Sequence, residues 1–392
     1  MERIGIYGGA FNPPHVGHIR AAEYARQALD LTKLLLIPSF ISPHKTQPQG
    51  SATPEQRLKM LQIATEEKDI TVSDIEQRRG GTSYTWMTLA ELREEYPEAE
   101  LVLLMGTDMF LSFHTWREPE KILEMASLGV FYRGEPGEQE RICEKKAELE
   151  AAGARVYLVE NSVTEISSTQ LRRMLVFGCA DPFLPEGVSD YIRENGLYGT
   201  KRSYRGLSEK ELEEVVVELL KANRVNHVLG CRDTARELAA RWGADENSAA
   251  RAGLLHDITK ALDGPLQLTL CREYGIVLDE FSQKNPKTLH ALTGSLVAEQ
   301  IFGERPEVVA AIASHTTGKA HMNTLEKIIY VADYMEPNRD FPGVEELREL
   351  AYTDLNAALE RGLSMTLDIL QKQGRSISPR SEQALAWLRK KG

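Results

Sequence analysis

The run Gly8-Gly9-Ala10-Phe11-Asn12-Pro13-Pro14-His15-Val16-Gly17-His18 joins two bare backbone positions to two imidazoles. Gly8 and Gly9 let the chain approach a bulky phosphate. The run leaves an apolar strand pattern and enters a helical one, where free N–H groups and the positive end of a helix dipole attract anions. His15 and His18 are three residues apart and share a face of the first turn. Imidazole N–H groups placed there can stabilise charge on a phosphoryl group in transfer. Two histidines at this spacing can also bind a metal. The run lacks the G-x-x-x-x-G-K-[ST] and G-x-G-x-x-G patterns, so neither a P-loop nor a dinucleotide fingerprint applies.

A second run, Ile166-Ser167-Ser168-Thr169-Gln170-Leu171-Arg172-Arg173, opens another helical pattern. Hydroxyls at a helix start cap it or bind phosphate oxygens. Arg172 lies four residues after Ser168 and faces the same side. Alone this is equally a plain N-cap; beside the first run it makes a second phosphate clamp.

The second half carries His227, the adjacent pair His256-Asp257, His290, His315 and Asp333, each in or at the end of a helical pattern. Any one of these fits a satisfied histidine or aspartate of a helix core. The full series H…HD…H…H…D does not.

The elements that must position these groups differ between the halves. Strand patterns at Arg3–Tyr7, Leu34–Ile37, Ile70–Ile75, Leu101–Met105, Leu128–Tyr132 and Arg155–Val159 alternate with helical ones at His15–Leu29, Glu55–Glu67, Thr85–Glu95, Pro119–Met125 and Glu138–Ala152. Such alternation predicts an α/β domain with a parallel sheet covered on both faces. Ligands then sit at the carboxyl ends of the strands. From Ser208 onward the periodicity is helical, and Ser208-Glu209-Lys210-Glu211 reads as a capping box. Helices are expected near Asn226–Trp242, Glu246–His256, Leu266–Tyr274, Thr288–Ile301, Pro306–Ser314, Leu325–Asp333 and Val344–Gln371. The polar, basic stretch from Gly199 to Leu207 reads as a linker between domains 1–198 and 208–392.

Composition bounds the function. The 392 residues exceed one ordinary domain, and 42% of them are apolar, enough for real cores. With 47 Lys and Arg against 58 Asp and Glu, the net charge of −11 argues against a nucleic-acid surface. Four scattered cysteines without a C-x-x-C pair, and no apolar leader or membrane-length run, fit a soluble cytoplasmic chain.

The first two runs resemble the nucleotidyltransferase superfamily. Pro43-His44-Lys45, Arg57-Leu58-x-Met60-Leu61, Ser83-Tyr84-Thr85, Met105-Gly106-Thr107-Asp108-Met109, Trp116 and Pro185-x-x-Val188-x-x-Tyr191-Ile192 narrow the resemblance to bacterial nicotinate-nucleotide adenylyltransferases, over residues 1–198. One position departs: Met87 stands where that family usually has aspartate. The resemblance implies a Rossmann-like fold and transfer of AMP from ATP, with magnesium, to nicotinate mononucleotide. It implies catalytic roles for His15, His18, Lys45 and Arg172. ATP would meet Gly8, Gly9, Phe11, His15, His18, Gly106, Asp108, Ile166, Ser167, Ser168, Thr169 and Arg172, and the nicotinate nucleotide Lys45, Tyr84, Thr85 and Trp116.

The second half resembles the all-α, metal-dependent HD phosphohydrolases. Asn226-His227-Val228-Leu229-Gly230, Ala252-Gly253-Leu254-Leu255-His256-Asp257, His315-Thr316-Thr317-Gly318 and Ala332-Asp333-Tyr334-Met335-Glu336-Pro337-x-Arg339 are similar to the symmetrical diadenosine tetraphosphate hydrolases of that fold. This implies a metal on His227, His256, Asp257 and Asp333, cleavage of the substrate to two ADP, and Lys260 meeting phosphate. His290 and His315 would bind a second metal or the substrate. Imidazole with carboxylate favours iron, manganese or zinc over calcium. The implied partners are ATP, nicotinate mononucleotide and dinucleoside polyphosphates, without nucleic acid or membrane; a homo-oligomer is compatible with all of this.

Overall fold

The computed structural model describes residues 2–41, 50–132, 137–160 and 166–391. The chain divides into two compact units, Met1–Arg202 and Ser203–Gly392.

In the first unit six strands form one parallel sheet: β1 (Arg3–Gly9), β2 (Lys33–Pro38), β3 (Thr71–Val72), β4 (Glu100–Gly106), β5 (Ser127–Tyr132) and β6 (Val156–Glu160), in the order β3-β2-β1-β4-β5-β6. Leu34 to Ile37 and Leu101 to Met105 are unbroken apolar runs because those strands are buried on both faces. Tyr7 pairs with Leu36 on one side and Leu104 on the other, so the strand order reverses at β1. The crossovers are α1 (Val16–Ala28), α2 (Pro54–Ala64), α3 (Ile75–Arg79), α4 (Thr85–Glu95), α5 (Thr107–Leu111), α6 (Pro119–Met125) and α7 (Glu138–Ala151). α8 (Ser168–Val176) and α9 (Val188–Glu194) close the unit. Helix α1 packs on β1 and β2, and its buried positions include the small residues Ala21, Ala22 and Ala25.

The second unit is helical: α10 (Glu209–Leu219), α11 (Ala222–Trp242), α12 (Glu246–Leu255), α13 (Gly264–Glu273), α14 (Glu280–Lys284), α15 (His290–Val297), α16 (Pro306–Ser314), α17 (Thr324–Met335), α18 (Val344–Thr353), α19 (Leu355–Lys372) and α20 (Pro379–Lys391). Its centre is α11 packed on α12 and α17, and α16 packed on α15 and α17. Among the described residues no helix is long and apolar enough to cross a membrane.

Three expected elements differ. The strand expected over Ile70–Ile75 shrinks to Thr71–Val72, an edge pairing of two residues, after which Ile75 begins α3. The single helix expected over Val344–Gln371 is two. Asp354 leaves helical geometry, and its Oδ1 accepts the N–H groups of Asn356 and Ala357, restarting the chain as α19. The helix expected to Ile301 keeps its α form to Val297 and passes into a π-turn over Ala298–Phe302. Within the stretch read as linker, the Tyr204 ring lies 5.9 Å from Phe302 and Arg205 Nη2 donates to the Gln300 carbonyl at 2.7 Å.

Candidate active sites

The first cleft opens where the strand order reverses, at the carboxyl ends of β1 and β4, as expected for ligand sites on such sheets. Its volume is about 890 Å³. Gly8, Gly9, Phe11, His15 and His18 line it from the end of β1 and the start of α1; Gly106 and Asp108 from the β4–α5 junction; Tyr84, Thr85 and Trp116 from one wall; and Ile166, Ser167, Ser168, Thr169 and Arg172 from α8 and the two residues before it. All the expected first-half site residues thus meet here except Lys45, which lies outside the described residues.

The geometry of the histidine pair is local. His15 is the N-cap of α1, and its Nδ1 accepts the His18 N–H at 3.3 Å. The Nδ1 of His18 accepts the His15 N–H at 3.2 Å. A capping box ordinarily built from hydroxyl and carboxamide is here built from two rings, stacked with centroids 3.5 Å apart. Because each Nδ1 accepts, each neutral ring carries its proton on Nε2. Burial pulls the pKa of His15 down to about 3. His15 therefore offers a neutral N–H donor.

Three side chains from distant positions hold the intervening turn. Arg57, fully buried, donates from Nη1 to the Ala10 carbonyl at 2.7 Å and from Nη2 to the Phe40 carbonyl at 3.1 Å. Arg172 Nη1 reaches the Asn12 carbonyl at 2.8 Å, and the Tyr198 hydroxyl donates to Asn12 Oδ1 at 2.6 Å. Arg57 belongs to a string noticed in the sequence, but Tyr198 gave no signal there. Ser167 caps α8 by accepting the Gln170 N–H at 3.2 Å, and Ser168 Oγ donates to the Pro13 carbonyl at 3.3 Å. On the far wall the Trp116 ring lies 5.5 Å from Phe113, and the Arg117 guanidinium covers the Tyr84 ring at 4.8 Å. Met87 sits in the first turn of α4, its N–H bonded to the Tyr84 carbonyl.

The second site assembles where helix ends meet. His227 comes from α11, His256 and Asp257 from the end of α12, His290 from the start of α15, His315 from the end of α16 and Asp333 from α17. His227 Nε2 lies 3.2 Å from His256 Nε2 and 3.2 Å from Asp333 Oδ1. Asp257 Oδ1 is 3.4 Å from His290 Nε2 and 3.8 Å from His315 Nε2. All six expected residues converge, and Lys260 Nζ stands 2.9 Å from His290 Nε2.

The donor set fits divalent metal. The Nδ1 atoms of His256, His290 and His315 face the carbonyls of Gly253, Lys287 and Ile312 at 2.7, 2.9 and 2.7 Å, and that of His227 faces Glu336 Oε1 at 3.1 Å. Those oxygens only accept, so each Nδ1 donates and each Nε2 presents a lone pair to the centre. Burial lowers the pKa of His256 and His290 well below the ordinary value and that of His315 to about 4, which keeps the rings neutral. Two groups, His227–His256–Asp333 and His256–Asp257–His315, bring their ligand atoms within 4.8 Å of one another. These are the residues that could hold one metal or a pair.

Two glycines permit the convergence. A Cβ at Gly253 would lie 2.7 Å from Arg232 Cα, so its absence lets α12 cross α11 closely enough for His256 to meet His227. A Cβ at Gly230 would collide with Glu336 Oε2, whose carboxylate supports His227. Glu336, Arg224, Arg339 and Thr316 also contact the cluster, and sequence reasoning assigned none of them a role. Glu336, Arg339 and Thr316 were signalled only by membership of the strings around His315 and Asp333.

Fold and site together define a nucleotidyltransferase-type α/β unit followed by a helical HD unit. Residues 6–174 match the cytidylyltransferase-like family and residues 224–338 the HD domain. The chain is 40% identical over 211 residues to the probable nicotinate-nucleotide adenylyltransferase of Aeromonas salmonicida, spanning 50% of this chain and 96% of that one. Identity to the corresponding protein of Thermomicrobium roseum is 39% over 203 residues, 51% of this chain and 93% of that one. A crystal structure of a predicted HD superfamily hydrolase involved in NAD metabolism, from Clostridium acetobutylicum, matches with 36% identity and a TM-score of 0.46, covering 47% of this chain and 99% of that one. Through its first half the chain belongs to the nicotinate-nucleotide adenylyltransferase family.

Proposed function

We propose that the chain is a bifunctional cytoplasmic enzyme. Its first unit transfers AMP from ATP to nicotinate mononucleotide. A phosphate oxygen of the acceptor forms a bond to the α-phosphorus of ATP, the bond from that phosphorus to the bridging oxygen breaks, and pyrophosphate leaves. No protein nucleophile is required, so positioning and charge stabilisation carry the rate. The observation that carries this reading is the meeting of the His15–His18 turn and the Ser167–Arg172 helix on one cleft. The Nε2–H groups of His15 and His18, with Arg172 and Lys45, would bear on the phosphates, Asp108 on the adenosine, and Trp116 on the pyridine ring beside Tyr84 and Thr85. Magnesium, when bound with ATP, supplies further neutralisation of the triphosphate. An anionic carboxylate hydrogen-bonds more strongly than a neutral amide, so nicotinate mononucleotide is preferred to its nicotinamide counterpart. Comparing kcat/KM for the two acceptors tests this; equal values defeat the preference, and no turnover of either defeats the reading.

In the second unit, we infer, water cleaves diadenosine tetraphosphate between its two central phosphorus atoms to give two ADP. His227, His256, Asp257 and Asp333 would hold a divalent metal, iron by preference, with His290 and His315 available to a second. Such a metal, when bound, supplies Lewis acidity toward a phosphoryl oxygen and toward water. The inward-facing Nε2 lone pairs are the observation that supports it. Asp257→Ala should lose metal and hydrolysis while adenylyl transfer continues, since the sites lie in separate units. Products of ATP and AMP in place of ADP, or full hydrolysis with full metal in Asp257→Ala, would overturn it. Diadenosine tetraphosphate that binds without turnover and alters adenylyl transfer would make the unit a sensor.

A further inference from the structure

Two of the carboxylates at the imidazole cluster of the second unit, Asp257 and Asp333, are gripped by arginines. Arg224, one turn before His227 on α11, donates from Nη2 to Asp257 Oδ2. Arg339 donates from Nη2 to Asp333 Oδ1 at 2.6 Å and from Nε to the Asp333 carbonyl at 2.8 Å. The two accepting oxygens lie 3.7 and 3.2 Å from the same His227 Nε2, so the guanidinium groups bracket one spot. The side chains of Arg224 and Arg339 are 27% and 34% exposed, against 2% for Asp257 and 14% for Asp333. In each pair the arginine is thus the more exposed partner. The Nε of Arg224 is buried without a hydrogen-bond partner among the described residues.

Charge decides what these arginines can receive. By formal charge Arg224, Arg339 and Lys260 offset Asp257, Asp333 and Glu336. The cluster is therefore near neutrality by itself, and each divalent metal bound there adds two positive charges. An anion with several charges along its length compensates them, and guanidinium forks match phosphate oxygens in geometry as well as charge.

We propose that Arg224 and Arg339 are specificity-determining residues that hold the phosphates flanking the reacting one. The site then selects chains of three or more phosphates over single phosphate groups. The inference deepens the hydrolase reading and rests on it for the reaction, though not for the binding. The rival is structural: the arginines only brace the two carboxylates.

The test uses the full-length, metal-loaded chain carrying His18→Ala and Arg172→Ala to silence the first-unit cleft. Calorimetric titration with inorganic tripolyphosphate and with inorganic phosphate is compared for this parent and for added Arg224→Gln, Arg339→Gln, Arg224→Lys and Arg339→Lys, with metal content measured on each. Each Gln variant should bind tripolyphosphate about tenfold or more weakly, as expected for a lost charge-assisted hydrogen bond. Inorganic phosphate should weaken far less, metal content should stay at the parent level, and each Lys variant should recover part of the loss. In turnover, KM for diadenosine tetraphosphate should rise by a similar factor with kcat little changed. Metal loss in step with the binding loss, or equal weakening of both anions, would show braces and overturn the proposal. A parent that binds tripolyphosphate through the arginines yet does not turn over diadenosine tetraphosphate would defeat the hydrolase reading and leave the polyphosphate site standing.

Discussion

His15 and His18 cap one another: each ring nitrogen Nδ1 accepts the other residue's backbone N–H, at 3.3 and 3.2 Å. The consequence is chemical. Both rings are fixed with the proton on Nε2, and both line the cleft as preset donors. Nitrogen-detected NMR should show the Nε2–H tautomer for both residues at pH 7. An Nδ1–H tautomer at either would contradict the reciprocal cap.

The burial of His15 also makes a pH prediction. Its pKa falls from 6.5 to about 3 on folding. Between those values the unfolded chain holds a proton that the folded chain lacks. This contribution to stability is therefore complete above pH 6.5 and is lost as the pH falls toward 3. One proton corresponds to a slope of about 1.4 kcal/mol per pH unit. Denaturant unfolding of the full chain at pH 7 and pH 5 should show a smaller acid loss for the first unit in His15→Gln than in wild type. An unchanged slope would place the proton elsewhere.

Tyr198 should be a positioning residue for adenylyl transfer. Its hydroxyl holds Asn12 Oδ1 at 2.6 Å, beside the Asn12 carbonyl that receives Arg172. Tyr198→Phe removes one buried hydrogen bond, costing about 1 kcal/mol. The expected result is a fall of about fivefold in kcat/KM for ATP, with diadenosine tetraphosphate hydrolysis unaffected. Full activity would show that the turn holds without it.

Glu336 should act through His227, to which it is bonded at 3.1 Å. Outer-sphere partners of this kind commonly change metal affinity by about 10- to 100-fold. Glu336→Gln should weaken metal binding by that order, measured by competition with a chelating dye. Gly230→Ala should do the same, because its new methyl displaces the Glu336 carboxylate. Normal affinity in both would remove Glu336 from the site.

Gly253→Ala tests the crossing of α11 and α12. The added Cβ would lie 2.7 Å from Arg232 Cα, a backbone atom that cannot turn aside. Overpacking of this sort costs about 1–3 kcal/mol. The unfolding transition of the second unit should fall while that of the first stays in place. A second unit of unchanged stability would show that the helices separate freely.

The sequence by itself determined what short-range rules govern. Buried parallel strands read as continuous apolar runs at Leu34–Ile37 and Leu101–Met105, and the capping box at Ser208 read as a helix start; both are in the structure. The site residue types were legible too, because chemistry needs particular side chains and the chain carried them in dense strings. What lay beyond reach was whatever depends on distance through space. Asp354 divides the expected long helix because its carboxylate caps the next one, an option that an apolar period does not register. Arg57, Arg172 and Tyr198 reach the turn before His15 from 47, 160 and 186 residues away, and Glu336 reaches His227 across 109. Nothing local announces such pairings. They exist because buried carbonyls, imidazoles and carboxylates must find partners once water is excluded, and only the packed chain decides which partners stand within reach.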